Sequence, residues 1–339
     1  MANDAKTIAI AGAGSIGCYV GGCLALAGRK VNFLGRGRIV AAMRKSGLRV
    51  SDLDGLDRRL DPGALAVTDD PAAALSNADI VVVTVKSGAT EEMAALVGMH
   101  ARPDAIVLSL QNGVSNAARL RAGLPGLRVL AGMVPFNVVL SPDGGTPLHV
   151  HRASDGKVMV EDARLSRLLD VAGLGVEAHS DIKAVQWSKL LMNLNNALVA
   201  LSGLPLATEL ADRRWRLILA AQIEEALAAM KAAGIGTARI AGLSPSLLPK
   251  VLRLPDWLFA VLARRMLAID PRARSSMWDD LERRRSTEID ALQGVVLSLA
   301  SKTRTPAPTI ERVAALVRQA EADKHGPPGL TPEAVRAIP

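Results

Sequence analysis

The sequence predicts an α/β fold in which a doubly wound parallel sheet is followed by an all-helical C-terminal domain. Short apolar runs alternate with Ala-rich helical stretches in the first half of the chain, whereas no strand pattern follows Asp181. Aromatic residues make up only 2% of a chain that is 49% hydrophobic, which favours helices and α/β layers over an all-β sandwich. The length of 339 residues indicates two or three domains.

The first half contains the predicted strands in order. Five apolar runs predict the parallel strands, with helical stretches between them: 7–12, 30–35, 78–86, 104–111 and 127–134. Residues 137–152 and 156–161 predict an antiparallel hairpin with a Pro-Asp-Gly-Gly turn, or a small extension of the sheet. A helix over 162–173 and a short strand over 176–181 follow. The segment 59–70 fits either a strand pair or a loop.

The second half predicts helices only, over 181–203, 216–234, 256–267, 276–302 and 310–322. The domain boundary therefore falls near residue 180. We predict an α/β domain over 1–180, an all-helical domain over 181–325 and a loose tail over 326–339.

Composition narrows the classes of function. The net charge of +8 suits an anionic partner, but bases would find almost no aromatic side chains to stack on, so nucleic-acid binding is disfavoured. The two cysteines, Cys18 and Cys23, lack the spacing of a metal site and predict buried thiols in a reducing compartment. We expect no metal, because no His/Asp/Glu cluster has ligand spacing. Without a signal peptide or an apolar span of about 18 residues, we expect a cytoplasmic protein with no membrane partner.

A glycine-rich turn joins the first predicted strand to the first predicted helix. In this Gly-x-Gly-x-x-Gly motif the first glycine allows a tight turn, the second lets the backbone approach a pyrophosphate, and the third lets the helix pack closely on the sheet. The amide groups at the helix start would face the phosphates. The motif in this context predicts a Rossmann-type dinucleotide site formed by Gly12, Ala13, Gly14, Ser15, Ile16 and Gly17.

The end of the second predicted strand indicates which dinucleotide binds. An NAD site usually has an acidic residue there for the ribose hydroxyls, whereas this sequence has Arg36 and Arg38. A guanidinium group suits a 2′-phosphate, so we predict NADPH, with Arg36 as the main contact. The alternative is a pair of surface arginines in a polar loop.

Two further strands end in polar residues at the edge where ligands of such sheets usually bind. Lys86 is the last residue of the predicted strand of residues 78–86, and Asn112 follows the predicted strand of residues 104–111. Each also has a simpler interpretation, because a lysine can end a strand and Asn-Gly forms turns. Their common edge favours a role at the cofactor.

The helix predicted over 181–203 carries polar residues in a strongly apolar stretch. Lys189, Asn193 and Asn196 stand at i, i+4 and i+7, so they share one face. Such groups are costly to bury unless they are paired or hydrated. They therefore form either a polar wall towards a domain cleft or a solvated stripe.

The helix predicted over 276–302 places Glu288 on a mostly apolar face, and a buried carboxylate there would need a partner, for which Lys189 is the candidate. Ser276 could bind a substrate carboxylate, or it could cap the helix.

Together these residues resemble the ketopantoate reductase (2-dehydropantoate 2-reductase) family over nearly the whole chain. The resemblance rests on five stretches of sequence: "GAGSIG", "VTVKSG", "LQNGVSN", "WSKLLMNLNNAL" and "SSMWDDLERRRSTEID". The last is specific to the family, whereas the glycine motif alone is not.

The resemblance implies an NADP-dependent oxidoreductase that reduces 2-dehydropantoate to (R)-pantoate, a step in pantothenate and coenzyme A biosynthesis. It implies that Lys189 donates the proton to the carbonyl oxygen and that Glu288 contacts cofactor or substrate and orients this lysine. The substrate-binding residues it implies are Asn112, Lys189, Asn193, Asn196 and Ser276. Arg36, Lys86 and Asn112 would lie at the cofactor, and a homodimer is one of two states found in the family.

The sequence departs from the family pattern near the substrate. The family usually has a second Asn one turn after the first, but residue 197 is Ala and the Asn stands at 196. The stretch "GLPLATEL" also lacks an Asn that some members use. A paralogous reductase of another 2-keto acid, or an opine-type dehydrogenase, is therefore an alternative. A second alternative is a nucleotide-sensing or nucleic-acid-binding protein without enzymatic activity.

Overall fold

A computed structural model describes residues 6–141, 148–239, 244–262 and 273–336. It confirms the predicted fold class, a mostly parallel sheet with helices followed by a helical region. The chain divides into two compact units, an N-terminal unit over Met1–Ile182 and a C-terminal unit over Lys183–Pro339. Within the described residues, no helix has the length and apolar character needed to cross a membrane.

The N-terminal unit alternates strands and helices. Its strands are β1 (Thr7–Ala11), β2 (Lys30–Leu34), β3 (Leu48–Asp52), β4 (Asp57–Leu60), β5 (Ala66–Thr68), β6 (Ile80–Val83), β7 (Ile106–Ser109), β8 (Arg128–Met133), β9 (Val138–Ser141), β10 (Leu148–Arg152), β11 (Val158–Val160) and β12 (Val176–Ala178). Its helices are α1 (Ser15–Leu26), α2 (Gly37–Ser46), α3 (Pro71–Leu75), α4 (Thr90–His100), α5 (Asn116–Gly123) and α6 (Ala163–Leu169).

The main sheet of the described residues has eight strands in the order β12-β11-β8-β7-β6-β1-β2-β5. The six strands from β8 to β5 are all parallel, as the continuous apolar runs predict. Strand β11 pairs antiparallel with β8, and β12 pairs parallel with β11. The carboxyl ends of β1, β2, β6 and β7 therefore lie along one edge, which is where the sequence predicts the cofactor.

A second sheet has the order β4-β3-β10-β9. The predicted hairpin is confirmed, because β9 and β10 pair antiparallel, while its turn at residues 142–147 lies outside the described residues. The segment 59–70 is neither a strand pair nor a simple loop. Strand β4 pairs with β3 in the second sheet, whereas β5 pairs with β2 in the main sheet.

Helix α1 packs with residues of both sheets in one of the core clusters that the described residues of the N-terminal unit form. Cys18 and Cys23 on this helix are fully buried, as predicted, and neither forms a disulfide. Burial raises the pKa of each thiol to about 12. Both cysteines therefore act as small apolar core residues.

The described elements that follow Asp181 are all helical. They are α7 (Ile182–Asn193), α8 (Asn195–Ser202), α9 (Leu206–Ala211), α10 (Arg213–Ala232), a 3-10 helix (Pro245–Leu247), α11 (Leu248–Leu252), α12 (Asp256–Leu262), α13 (Ser276–Glu282), a π-helical segment (Asp290–Gly294), α14 (Val295–Thr303), α15 (Pro308–Asp323) and α16 (Pro332–Val335). The helix predicted over 256–267 is described as far as residue 262.

The prediction of a single helix over 276–302 is wrong, because the helix ends with α13 at Glu282. Arg284 is left-handed, with φ of 55°, and its amide donates to Leu281 O. The Arg285 amide donates to Asp280 O, which completes a Schellman motif and ends the helix. The Thr287 hydroxyl then accepts from the Ile289 amide and starts the next helical segment.

The tail predicted to be loose from residue 326 also packs in the structure. The Leu330 amide donates to Leu201 O at 2.8 Å, and Val335 in α16 is fully buried. Pro332 at the helix start and the capping Thr331 favour this short helix. The Pro- and Gly-rich sequence before this helix is typical of a loop, so the sequence did not predict the helix.

Candidate functional site

The glycine turn between β1 and α1 has the geometry that its motif predicts. Gly12 has φ of 117°, and a Cβ there would lie 2.8 Å from Val85 Cγ1. A Cβ on Gly17 would lie 2.2 Å from Gly12 O, so only glycine permits this close packing. A Cβ on Gly14 would meet nothing within 4 Å, so this position faces open space.

This turn fits the pyrophosphate of a dinucleotide. Helix α1 begins directly after Gly14, and no acidic residue lies in its first turn. The amides of Ser15 and Ile16 belong to the end of the helix that attracts anions. Thr84 Oγ1 donates to Gly12 O at 2.7 Å, which ties the turn to the end of β6.

Arg36 and Arg38 lie beyond the end of β2, and both are exposed. Arg36 is the residue directly before α2. The amides of Gly12 and Ala13 donate to Leu34 O, two residues before Arg36, so the arginine follows a strand end that is bonded to the glycine turn. A guanidinium group at this position is chemically suited to pair with a phosphate group.

Lys86 and Asn112 are brought together at the neighbouring strand ends. Lys86 follows β6, Asn112 follows β7, and both side chains are exposed. The Asn112 carbonyl accepts from Asn116 Nδ2 at 2.6 Å and from Ser87 Oγ at 3.4 Å. The two loops therefore share hydrogen bonds at the edge of the sheet.

A buried polar network that the sequence analysis missed holds these loops. Asn116 Nδ2 also donates to Ser87 Oγ at 2.9 Å, and its Oδ1 lies 3.0 Å from the Thr90 hydroxyl. Gln111 Nε2 donates to Thr90 Oγ1 at 2.8 Å and to Val85 O at 3.0 Å. The run of polar residues in "LQNGVSN" was the sequence signal for this network, but only Asn112 in it was predicted to have a role.

Lys189 and Asn193 lie one turn apart on α7, but Asn193 is buried, so the predicted face of Lys189, Asn193 and Asn196 is only partly open. Lys189 is half-buried, and burial lowers the pKa of its amine to about 8. Between residues 184 and 202, all of which the structure describes, Lys189, Met192 and Asn196 are the only side chains that are not buried. Leu194 between the helices keeps a right-handed helical backbone, so these positions share one open face.

Ser276 lies close in structure to this open face. Ser275, not Ser276, caps α13 by accepting from the Trp278 amide, and its hydroxyl also donates to Asn196 O at 2.9 Å. This bond joins the start of α13 to α8. Ser276 is exposed as the first helical residue, so the alternative of Ser276 as the cap is wrong.

Glu288 does not lie within a helix, because the break after α13 separates it from Leu281. It is half-buried, and its carbonyl accepts from the Ala291 and Leu292 amides at the start of the π-helical segment. Gln293 in this segment donates to Leu194 O at 3.0 Å, which ties the segment to the joint between α7 and α8. A Lys189–Glu288 ion pair stays a prediction.

The two units each hold part of the chemistry. The N-terminal unit presents a glycine turn at a helix start with a cationic strand end, and the C-terminal unit presents a lysine with a lowered pKa on a helix face shared with Asn196. A lysine of this pKa can donate a proton near neutral pH. The described residues contain no group of three or more side chains arranged for a metal ion.

Comparisons with known proteins agree over both units. The chain matches the family model described as "Ketopantoate reductase PanE/ApbA" over residues 8–164, and "Ketopantoate reductase PanE/ApbA C terminal" over residues 181–321. It is 30% identical to the 2-dehydropantoate 2-reductase of Halobacterium salinarum, over 93% of this chain and 99% of that protein. It is 31% identical to the 2-dehydropantoate 2-reductase of Mesorhizobium japonicum, over 92% of this chain and 97% of that protein. The crystal structure of a PanE/ApbA family ketopantoate reductase from Ralstonia eutropha has a TM-score of 0.77 and 30% identity, covering 94% of this chain and 99% of that chain.

Proposed function

Because the chain belongs to the ketopantoate reductase family, we propose that it is the oxidoreductase that reduces 2-dehydropantoate to (R)-pantoate with NADPH. The observation that carries this proposal is the half-buried Lys189, whose pKa is lowered to about 8, on a helix face shared with Asn196 and next to Asn193. An ammonium group in this setting stabilises charge on a carbonyl oxygen and supplies a proton.

The roles of the residues follow from their chemistry. Bound NADPH supplies the hydride for the 2-keto carbon. Lys189 donates a proton to the carbonyl oxygen, and Glu288 orients the lysine. Asn193, Asn196 and Ser276 donate hydrogen bonds to the substrate.

The cofactor is held by the N-terminal unit. The glycine turn binds the pyrophosphate, and Arg36 pairs with the 2′-phosphate, which favours NADPH over NADH. Lys86 and Asn112 bind nearer the nicotinamide, at the loops that the Asn116 network holds.

We also propose a metabolic role, a cellular location and a partner for this enzyme. The reaction would serve pantothenate and coenzyme A biosynthesis in the cytoplasm, and a small 2-keto acid would be the main partner of the enzyme. We keep a homodimer as a prediction, which sedimentation can test.

Steady-state oxidation of NADPH with 2-dehydropantoate tests the function directly. We expect saturable turnover that is lost in Lys189→Ala and kept in Lys183→Ala, which changes an exposed lysine of the same helix. Binding of NADPH without turnover of any keto acid would refute the proposal and favour a nucleotide-sensing protein.

A second candidate is the reduction of another 2-keto acid. Ala197, where the family usually has Asn, is fully buried, and the nearest amide on the open face is Asn196. This difference changes the substrate pocket without touching Lys189. A panel of 2-keto acids, with and without an amine co-substrate, distinguishes the two candidates by kcat/KM.

A further inference from the structure

A buried carboxyl–amide pair lies beside the proposed substrate-binding residues. Glu209 on α9 is fully buried, and Asn195 at the start of α8 is 6% exposed. Asn195 Nδ2 donates to Glu209 Oε2 at 3.0 Å. The other oxygens of the pair, Asn195 Oδ1 and Glu209 Oε1, are buried without a hydrogen-bond partner among the residues that the structure describes.

These two oxygens define a chemical problem. Both are acceptors when Glu209 is ionised, so neither can satisfy the other, and burying both unpaired is costly. One proton on Glu209 Oε1 converts that atom into a donor. The same proton would satisfy both oxygens if it were shared with Asn195 Oδ1, and the two side chains would then form a ring closed by two hydrogen bonds.

We propose that Glu209 is a protonated carboxyl in the folded protein and that it positions the start of α8 through this two-bond ring with Asn195. Glu209 thereby fixes the position of the residues that neighbour Asn195. The neighbouring Asn193 and Asn196 are the amides that bind substrate in the proposed function, and this positioning role rests on that proposal.

The charged groups nearest Glu209 are paired with other residues. Helix α8 contains no charged residue, whereas the cap and the first turn of α10 carry Asp212, Arg213, Arg214 and Arg216. The Arg216 guanidinium is bonded to backbone carbonyls that include Leu210 O and to Asp256, and Asp212 is bonded to Arg214. Burial is the main cause that raises the pKa of Glu209 to about 8. Repulsion from Asp212 adds to it, whereas the hydrogen bond from Asn195 and attraction to Arg216 oppose it.

Carbon-13 NMR of the glutamate carboxyl groups tests the protonation state in the intact chain. Glu209→Gln identifies the resonance, and Glu311→Gln is the control for an exposed carboxyl. We expect the Glu209 signal to titrate near pH 8, far above the ordinary value of 4.5. Titration near 4.5 would overturn the proposal, whether or not the protein reduces any keto acid.

Stability gives a second readout of the same proton. A carboxyl whose pKa is raised in the folded state stabilises the fold below its unfolded value, and this stabilisation is lost as the pH rises through the folded value. Between pH 4.5 and about 8, the unfolding constant of the wild type should rise about tenfold per pH unit relative to Glu209→Gln. Gln keeps both hydrogen bonds without a titratable proton. A constant ratio would contradict a protonated Glu209.

Kinetics test the positioning role. In the wild type the KM for the keto acid should rise about two- to tenfold as the pH passes 8, because loss of the proton opens the ring and shifts the amides that hydrogen-bond the substrate. Glu209→Gln should remove this rise while Lys189 titrates unchanged in both proteins, and the KM for NADPH should not move. Identical KM profiles for wild type and Glu209→Gln would refute positioning, even where NMR shows a protonated carboxyl.

Discussion

Replacing the proposed proton donor is the most direct perturbation of the site. Lys189→Ala should lower kcat/KM by about 10²–10⁴, the range that a general acid contributes, which is about 3–5 kcal/mol of transition-state stabilisation. Binding of NADPH should be unchanged, because the residues proposed to hold it belong to the N-terminal unit. Lys183→Ala, on an exposed position of the same helix, should keep full activity.

The pH dependence follows from the same residue. With a pKa of about 8, the Lys189 amine is protonated in about 90% of molecules at pH 7 and in about 10% at pH 9. Since the protonated amine is the donor, kcat/KM should fall about tenfold over that interval in Glu209→Gln, and by a further two- to tenfold in the wild type, where the KM for the keto acid also rises. Lys189→Arg keeps the positive charge but holds its proton throughout, so its low residual rate should show no such fall.

The assay is initial-rate oxidation of NADPH across this pH range, with 2-dehydropantoate varied at each pH. Fluorescence titration with NADPH separates loss of binding from loss of chemistry. The reasoning fails if Lys189→Ala keeps more than about a tenth of the wild-type kcat/KM, or if the wild-type profile is flat between pH 7 and 9.

Three further predictions concern the N-terminal unit. Gly17→Ala should lower the thermal midpoint of unfolding, because its Cβ would lie 2.2 Å from Gly12 O. Gly14→Ala should keep the midpoint, because its Cβ enters open space, but it should weaken NADPH binding, because that space is where the pyrophosphate is proposed to bind. Equal midpoints for the two variants in thermal unfolding would contradict this. Arg36→Asp should reduce the preference for NADPH over NADH, and an unchanged ratio of kcat/KM values would exclude Arg36 from 2′-phosphate binding. Asn116→Ala removes the hydrogen bonds to Ser87 Oγ and Asn112 O, so it should lower the free energy of unfolding in denaturant by about 1–3 kcal/mol and raise the KM for NADPH. An unaltered KM for NADPH would show that the network does not position the cofactor loops.

The features that the sequence predicted well are local ones. The glycine turn depends on residues within one strand–turn–helix unit, so Gly12 and Gly17 could be assigned from their spacing, and the structure gives each the conformation or contact that requires glycine. The face shared by Lys189 and Asn196 follows from helical periodicity in the same way.

The features that the sequence did not predict depend on competition or on distant partners. The helix break at Arg284 is set by a left-handed residue that is not glycine, so periodicity continued through it in the prediction. Asn116 bonds to Ser87, which lies 29 residues away, and no local pattern marks such a pair. Strand β5 joins a different sheet from its neighbour β4, which tertiary packing decides.

The buried cysteines of α1 have a practical consequence for measuring how each unit opens. Both thiols belong to the N-terminal unit, whereas the four tryptophans of the chain, Trp187, Trp215, Trp257 and Trp278, all belong to the C-terminal unit. A thiol that is fully buried and has its pKa raised to about 12 reacts with alkylating reagents only when its surroundings open. Pulse alkylation therefore reports local unfolding of one unit, and indole fluorescence reports the other, in the unmodified protein. A ligand that binds the N-terminal unit should slow alkylation in proportion to its saturation.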